Sequence, residues 1–272
     1  MRSKPIRRGR KVPEAVLSAI EAKRYLERLG LSSFPGRTGV KTVSTLHRAQ
    51  ALSIPFESLH LHFGKGPKLN LQAVVQHVLH QKRGGICYEL NLLFAAALRY
   101  LGYQPIFLSA AARQADGSYP PWGDHMALGI TIDGQDWLAD TGFGSRTVPV
   151  LPFGGQGSWQ GEHYRLDEDT GAGCWAVQQE QEGSWRTLFR LKRTPCRIQD
   201  FEAMANYHYQ APTSPFAEGP VCALATTEGR KTLTAKYYKE ITGQKENRLP
   251  VESQAQFLGL AQQHFGIRLP YL

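Results

Sequence analysis

The chain has 272 residues, 42% of them hydrophobic and 10% aromatic, so it can bury a sizeable interior and is neither a disordered nor a fibrous protein. That length favours about two domains. The net charge of +9 would suit a polyanionic partner, but Arg2, Lys4, Arg7, Arg8, Arg10 and Lys11 supply six of those charges and the rest of the chain carries only +3.

Residues 1–12 read as a basic disordered tail with no aromatic interleaving, so no nucleic-acid partner is expected. No run approaches the roughly 20 apolar residues of a membrane span, and the basic start lacks the apolar core of a secretory signal. No membrane association and a cytoplasmic location are therefore expected. Cys87, Cys174, Cys196 and Cys222 are widely spaced with no C-x-x-C pair, which argues against zinc and against a disulfide framework. "HLH" at His60 to His62 would suit chelation on a strand, yet no third ligand type clusters nearby in sequence, so no metal is expected.

Along the chain, "PEAVLSAIEAKRYLERLG" predicts a first helix, with Pro13 at its start, Val16, Leu17, Ile20, Leu26 and Leu29 on one face, and Gly30 as its stop. "STLHRAQALS" predicts a second, ended at Ile54 because a residue before proline avoids the helical region. "LQAVVQHVLHQK" predicts a third, halted by Gly84-Gly85, and "CYELNLLFAAALRYLG" a fourth. After Tyr103 the period changes to two. "PIFLSAAAR", "HMALGITI", "DWLADTGF", "HYRLDED", "CWAVQQE" and "SWRTLFRL" predict an antiparallel sheet or barrel. "IQDFEAMANYHYQ" returns to a helical period. A strand pair turning at Glu228-Gly229 and a terminal helix from about Pro250 to His264 complete the order.

"KRGGICYELN" is where chemistry is expected. Cys87 opens a helix after two glycines, and the free N–H groups and positive dipole end there favour a thiolate. A free cysteine is more often a small buried hydrophobe, so a nucleophilic role needs a base and a group that orients it. "HMALGITIDGQDWLAD" offers both. Asp133-Gly134 signals a two-residue type I′ hairpin, so paired residue numbers sum to 267. His125 and Asp140 then become diagonal neighbours on one face, about 7–8 Å apart at the backbone. One residue more or less in the loop would put them on opposite faces. An aspartate beside a histidine is what an oriented imidazole requires.

"RGGICYELN", "HMALGI" and "WLADTGFG", with "YLERLGL", "STLHRAQALSIPFESL" and "NYHYQAPTSPF", resemble the arylamine N-acetyltransferases in motif, order and spacing from about Tyr25 to the C-terminus. The resemblance implies an α+β fold: a helical bundle over residues 13–103 carrying the nucleophile, an antiparallel β-barrel over 104–215 carrying the histidine and aspartate, and an α/β lid over 216–272. It also implies a Cys87-His125-Asp140 triad and ping-pong transfer from acetyl-CoA, as cosubstrate, to an arylamine, hydrazine or arylhydroxylamine.

By the same resemblance Phe56 and Phe216 would line the acceptor pocket, and Thr141, Gly142, Phe143 and Gly144 would form a loop near the coenzyme. Arg83 and Glu89 would pair to fix the start of the cysteine helix. Ile86, Leu90 and Thr141 depart from the family's pattern and bear on donor and acceptor preference. The rival readings are a polyketide amide synthase with the same triad, a cysteine hydrolase or transglutaminase, and a non-catalytic binding module led by the tail.

Overall fold

The computed structural model describes residues 15–36, 39–64, 66–144 and 146–269; the expected tail over 1–12 and Pro13 lie outside the described residues. Helix α1 (Ala19–Leu29) starts at Ser18, whose hydroxyl accepts from the Glu21 N–H while the Glu21 carboxylate accepts from the Ser18 N–H at 2.7 Å, a reciprocal cap. Val16 therefore precedes the helix, and Ile20 is 72% exposed, because the inward face is Ala22, Tyr25, Leu26 and Leu29. Helix α2 (Val40–Ser53) stops at Ile54, in extended conformation ahead of Pro55 as expected.

Strand β1 (Phe56–Glu57) and helix α3 (Leu59–Phe63) follow, which places the two histidines of "HLH" on a helix and not on a strand. Helix α4 (Leu71–Val74), capped by the Asn70 side chain, continues as a π-helix over Val75–His80. Helix α5 (Cys87–Tyr100) is buried on all sides from Cys87 to Arg99 and is the axis of the helical layer.

The barrel consists of β2 (Ile106–Ala112), β3 (His125–Ile132), β4 (Gln135–Ala139), β5 (Leu151–Pro152), β6 (Gly155–Trp159), β7 (Glu162–Asp169), β8 (Cys174–Gln181) and β9 (Ser184–Cys196). Its antiparallel order is β5-β4-β3-β2-β9-β8-β7-β6. The sheet nearly closes where Phe153 and Gly154 join its two ends, their N–H groups reaching the carbonyls of Asp136 and Leu166 at 3.0 Å each. Strands β5 and β6 carry no alternation that sequence could show, being short and rich in glycine and proline. Along β3, Met126, Leu128 and Ile130 pack into the helical core around α5, whereas Ala127 faces the barrel interior with Phe189 and Leu191.

A 3-10 turn (Ile198–Phe201) and α6 (Glu202–Gln210) lead to a second antiparallel sheet of β10 (Val221–Ala225), β11 (Gly229–Thr234), β12 (Tyr237–Thr242) and β13 (Lys245–Pro250). Its order is β1-β10-β11-β12-β13, so the strand borrowed from the helical third becomes an edge. Phe56 pairs with Ala223, Glu57 with Cys222, and Phe56 also bridges to Gly85 just ahead of α5. The terminal helix α7 (Gln254–Phe265) starts at the Ser253 cap; Pro250, the expected start, ends β13 instead. Phe257, Ala261 and Phe265 seal α7 onto this sheet beside Leu233 and Tyr238.

Because Leu93 is fully buried in α5 between the layers, Leu93→Ala should cost about 2–5 kcal/mol in urea denaturation, the range for a core leucine whose cavity cannot collapse.

Candidate active site

The Asp133-Gly134 hairpin forms as the spacing predicts, with φ of 52° and 78°. Ile132 pairs with Gln135, and the same register runs to Leu128 with Ala139. The chain beyond each end carries His125 and Asp140, and the His125 Nε2 meets Asp140 Oδ2 at 2.6 Å. From the helical side α5 brings Cys87, whose sulfur lies near enough to the same imidazole to raise its pKa. With Nε2 engaged by the carboxylate, Nδ1 is the nitrogen left for the thiol. All three side chains are buried: Cys87 is 6% exposed, His125 4% and Asp140 1%.

Burial pushes the Asp140 carboxyl up, but the His125 ring, the Asn91 amide and the Gly142 N–H outweigh it and hold the group below the usual aspartate range. Asn91 Nδ2 donates to Asp140 Oδ1 at 2.9 Å, and the Gly142 N–H donates to the same oxygen at 2.8 Å. For His125, burial acts downward while Asp140 and the Cys87 sulfur act upward, and the net effect is a pKa well above the ordinary value. The imidazolium is therefore the resting form at neutral pH, set edge-on between the rings of Phe143 and Phe189 at 5.4 and 5.1 Å.

Sequence assigned no positioning role to several of the groups around the aspartate. Asn91 also donates to the Met126 carbonyl at 2.6 Å, while its own oxygen accepts from the Thr141 N–H at 3.0 Å. Gln50 donates to the Thr141 hydroxyl at 2.8 Å and accepts from the Tyr25 hydroxyl at 2.7 Å. His47 donates to the Asp140 carbonyl at 2.8 Å. Thr141, a departure from the family pattern, thus anchors the aspartate's loop to α2 and α5. The run "CYELN" places Asn91 one helical turn after Cys87, a spacing that could have flagged it.

The loop residues split in their placement. Thr141, Phe143 and Gly144 line a cleft together with Asp140, Phe56 and Leu224. Gly142 serves close packing instead. A Cβ there would lie 2.6 Å from the Cys87 Cα, so only glycine lets this loop touch the helix tip. Phe216 stands against Phe56 with ring centroids 6.2 Å apart, and against His208 at 5.2 Å.

Arg83 does not pair with Glu89 as expected. It pairs with Glu57, Nε to Oε1 at 2.9 Å, because β1 brings that carboxylate under the glycine loop. Glu89 instead accepts from the Ile86 N–H at 2.9 Å, capping its own helix, and lies 3.1 Å from His60 Nε2. The "HLH" histidine thus meets two carboxylates that sequence distance concealed.

A family model described as N-acetyltransferase matches residues 39–271. The chain belongs to the arylamine N-acetyltransferase family. Arylamine N-acetyltransferase 1 of Bos taurus is 29% identical over 227 residues, 75% of this chain and 78% of that one. The M. smegmatis arylamine N-acetyltransferase structure has a TM-score of 0.81 at 28% identity, covering 89% of this chain and 90% of the other. The Salmonella typhimurium enzyme has a TM-score of 0.83 at 26% identity, with 91% of each chain covered. Membership makes the chain an acyltransferase. No helix among the described residues is long and apolar enough to cross a membrane.

Asp140→Asn keeps the size of the side chain but removes its charge from the imidazole. It should lower acetyl-transfer turnover by a factor on the order of 10³–10⁴ with the fold retained by circular dichroism, as expected for a histidine whose orienting carboxylate is lost.

Proposed function

We propose that this chain moves an acetyl group from acetyl-CoA to an arylamine, hydrazine or arylhydroxylamine through a thioester on Cys87, in ping-pong order. The observation that supports this most is the convergence of the Cys87 sulfur, the His125 ring and the Asp140 carboxylate beside an aromatic cleft. In the first half-reaction the Cys87 thiolate attacks the thioester carbonyl, the carbon–sulfur bond to coenzyme A breaks, and the departing thiolate takes a proton from the imidazolium. In the second, the neutral amine attacks the Cys87 thioester, its nitrogen gives a proton to His125, and the cysteine sulfur leaves as the thiolate. Asp140 keeps Nε2 of the ring engaged throughout, so that Nδ1 faces the reacting atoms.

Phe56 and Phe216 suit a flat aromatic acceptor, since offset or edge contacts with such rings add to simple burial. Thr141, Phe143 and Gly144 share that cleft with Phe56 and suit the acyl donor. Family relatives carry the arylamine acceptor in their names, which favours this reading over the amide synthase, hydrolase and binding-module alternatives. The partners in this reading are a small-molecule acceptor and a coenzyme A thioester, and the working compartment is the cytoplasm.

Intact-mass measurement after mixing with acetyl-CoA and no acceptor should find one acetyl adduct, absent in Cys87→Ser. An unmodified wild-type mass, with protein folded and thiol reduced, overturns the reading. Because the His125 pKa is raised and that of Asp140 lowered, both charges persist across neutral pH. The rate of adduct formation should then not fall between about pH 6 and 7.5, where an ordinary histidine of pKa about 6.5 loses its proton.

A further inference from the structure

Acetyl transfer makes no direct use of the buried charges under the Cys87 end of α5. Glu57 and Glu89 are fully buried, and His60, 4% exposed, lies between them. Its Nε2 is 3.1 Å from Glu89 Oε2 and its Nδ1 is 3.7 Å from Glu57 Oε2. Neither ring nitrogen completes a well-directed hydrogen bond, so charge holds the ring in place.

The carboxylates themselves are committed. Glu57 Oε1 accepts from Arg83 and from the Gly84 N–H, and its Oε2 accepts from the Leu59 N–H at 2.8 Å. Glu89 accepts from the N–H groups of Ile86 and Lys68, each at 2.9 Å. Glu57, His60 and His77 bring one donor atom apiece within 4.8 Å of one another, a spacing that could suggest a metal ion. The Arg83 guanidinium, 2.8 Å from Glu57 Oε1, already supplies that carboxylate with a cation of the protein's own. Two buried carboxylates and one guanidinium leave one negative charge to balance, and His60 is the group placed to balance it.

We propose that His60 is a positioning residue for acyl transfer: as a buried imidazolium it holds Glu89 at the tip of α5 and cancels the charge that this carboxylate would set against a thiolate at Cys87. Cys87 and Glu89 share the first turn of one helix, Glu89 Oε2 lies 2.9 Å from the N–H of Ile86 beside Cys87, and a nearby like charge disfavours a second anion. The surroundings agree. Burial acts downward on the His60 ring, but Glu89 and Glu57 raise its pKa to about 9. Burial acts upward on Glu89, and His60 and the Ile86 N–H bring it below the usual carboxylate range.

Among the described residues, the other titratable groups facing this cluster are Arg83 ahead of α5, His77 from the π-helix, His62 from α3 and Cys222 from β10. His77 Nε2 is 3.7 Å from Glu57 Oε1, and the ring also acts on Glu89, after His60, to lower its carboxyl. Burial followed by the Glu57 charge pushes the Cys222 thiol well up, leaving it neutral.

This inference rests on Cys87 being the nucleophile, and iodoacetamide alkylation of Cys87 across pH tests it. In His60→Gln, which keeps a hydrogen-bonding group but loses the charge, the pH profile should move up by about one unit, so that the rate on its rising limb falls about tenfold. Removing the opposing charge as well, in His60→Gln with Glu89→Gln, should restore most of that rate, which a purely structural role would not do. A profile that stays put in folded His60→Gln, or a double variant that fails to recover, overturns the inference. If His60→Gln does not fold, the wild-type protein decides: nitrogen-15 NMR should find the His60 ring protonated at pH 7.5, and a neutral ring there overturns it. A missing acetyl adduct in wild type would instead overturn the transferase reading, whereas an adduct with an unmoved His60→Gln profile overturns this inference alone.

Discussion

The Asp140 carboxylate is the point on which the rest of this structure turns. An aspartate this deeply buried is costly unless every oxygen is met, and here the donors come from three separate stretches of chain. Asn91 reaches it from α5, His125 from β3 and Gly142 from its own loop. Satisfying one carboxylate therefore locks the helical layer to the barrel at a single place. The imidazole that Cys87 needs is held in the same act.

The family chemistry follows from where that lock sits. A helix tip presents the sulfur, a strand end presents the ring, and the loop after Asp140 packs so closely that Gly142 tolerates no side chain. Orientation is supplied before any substrate arrives, which is how a fixed polar site stabilises charge without reorganising. The cleft beside it is walled by Phe56 from the borrowed strand β1 and by Phe143 from the aspartate's loop. That cleft is thus built from distant stretches of the sequence.

A second buried charge system lies a few residues away, on the other side of the glycine loop. Buried ion pairs add little net stability, since desolvation offsets most of their attraction. Their value is in specifying one arrangement. Glu57 ties β1 to Arg83 and Gly84, and Glu89 ties the first turn of α5 to the backbone of Ile86 and Lys68. The Cys87 helix is consequently pinned near its start by both sets of charges.

Much of this was legible in the residue order because it depends on short-range rules. The double glycine and the apolar run define α5, and Asp133-Gly134 sets a register that brings His125 to Asp140, since strand side chains alternate with a period of two. Those local rules, with the motifs around Cys87, His125 and Asp140, determined the broad succession of helices and barrel strands, the family, and the meeting of His125 with Asp140. What they could not reach was any partnership across long chain separations. Arg83 chose Glu57 over Glu89, the "HLH" histidine met two carboxylates, Ile20 turned outward, and Phe56–Glu57 left the helical third for the second sheet. Such choices depend on which groups are buried together, and burial is decided by packing of the whole chain, not by any stretch of it.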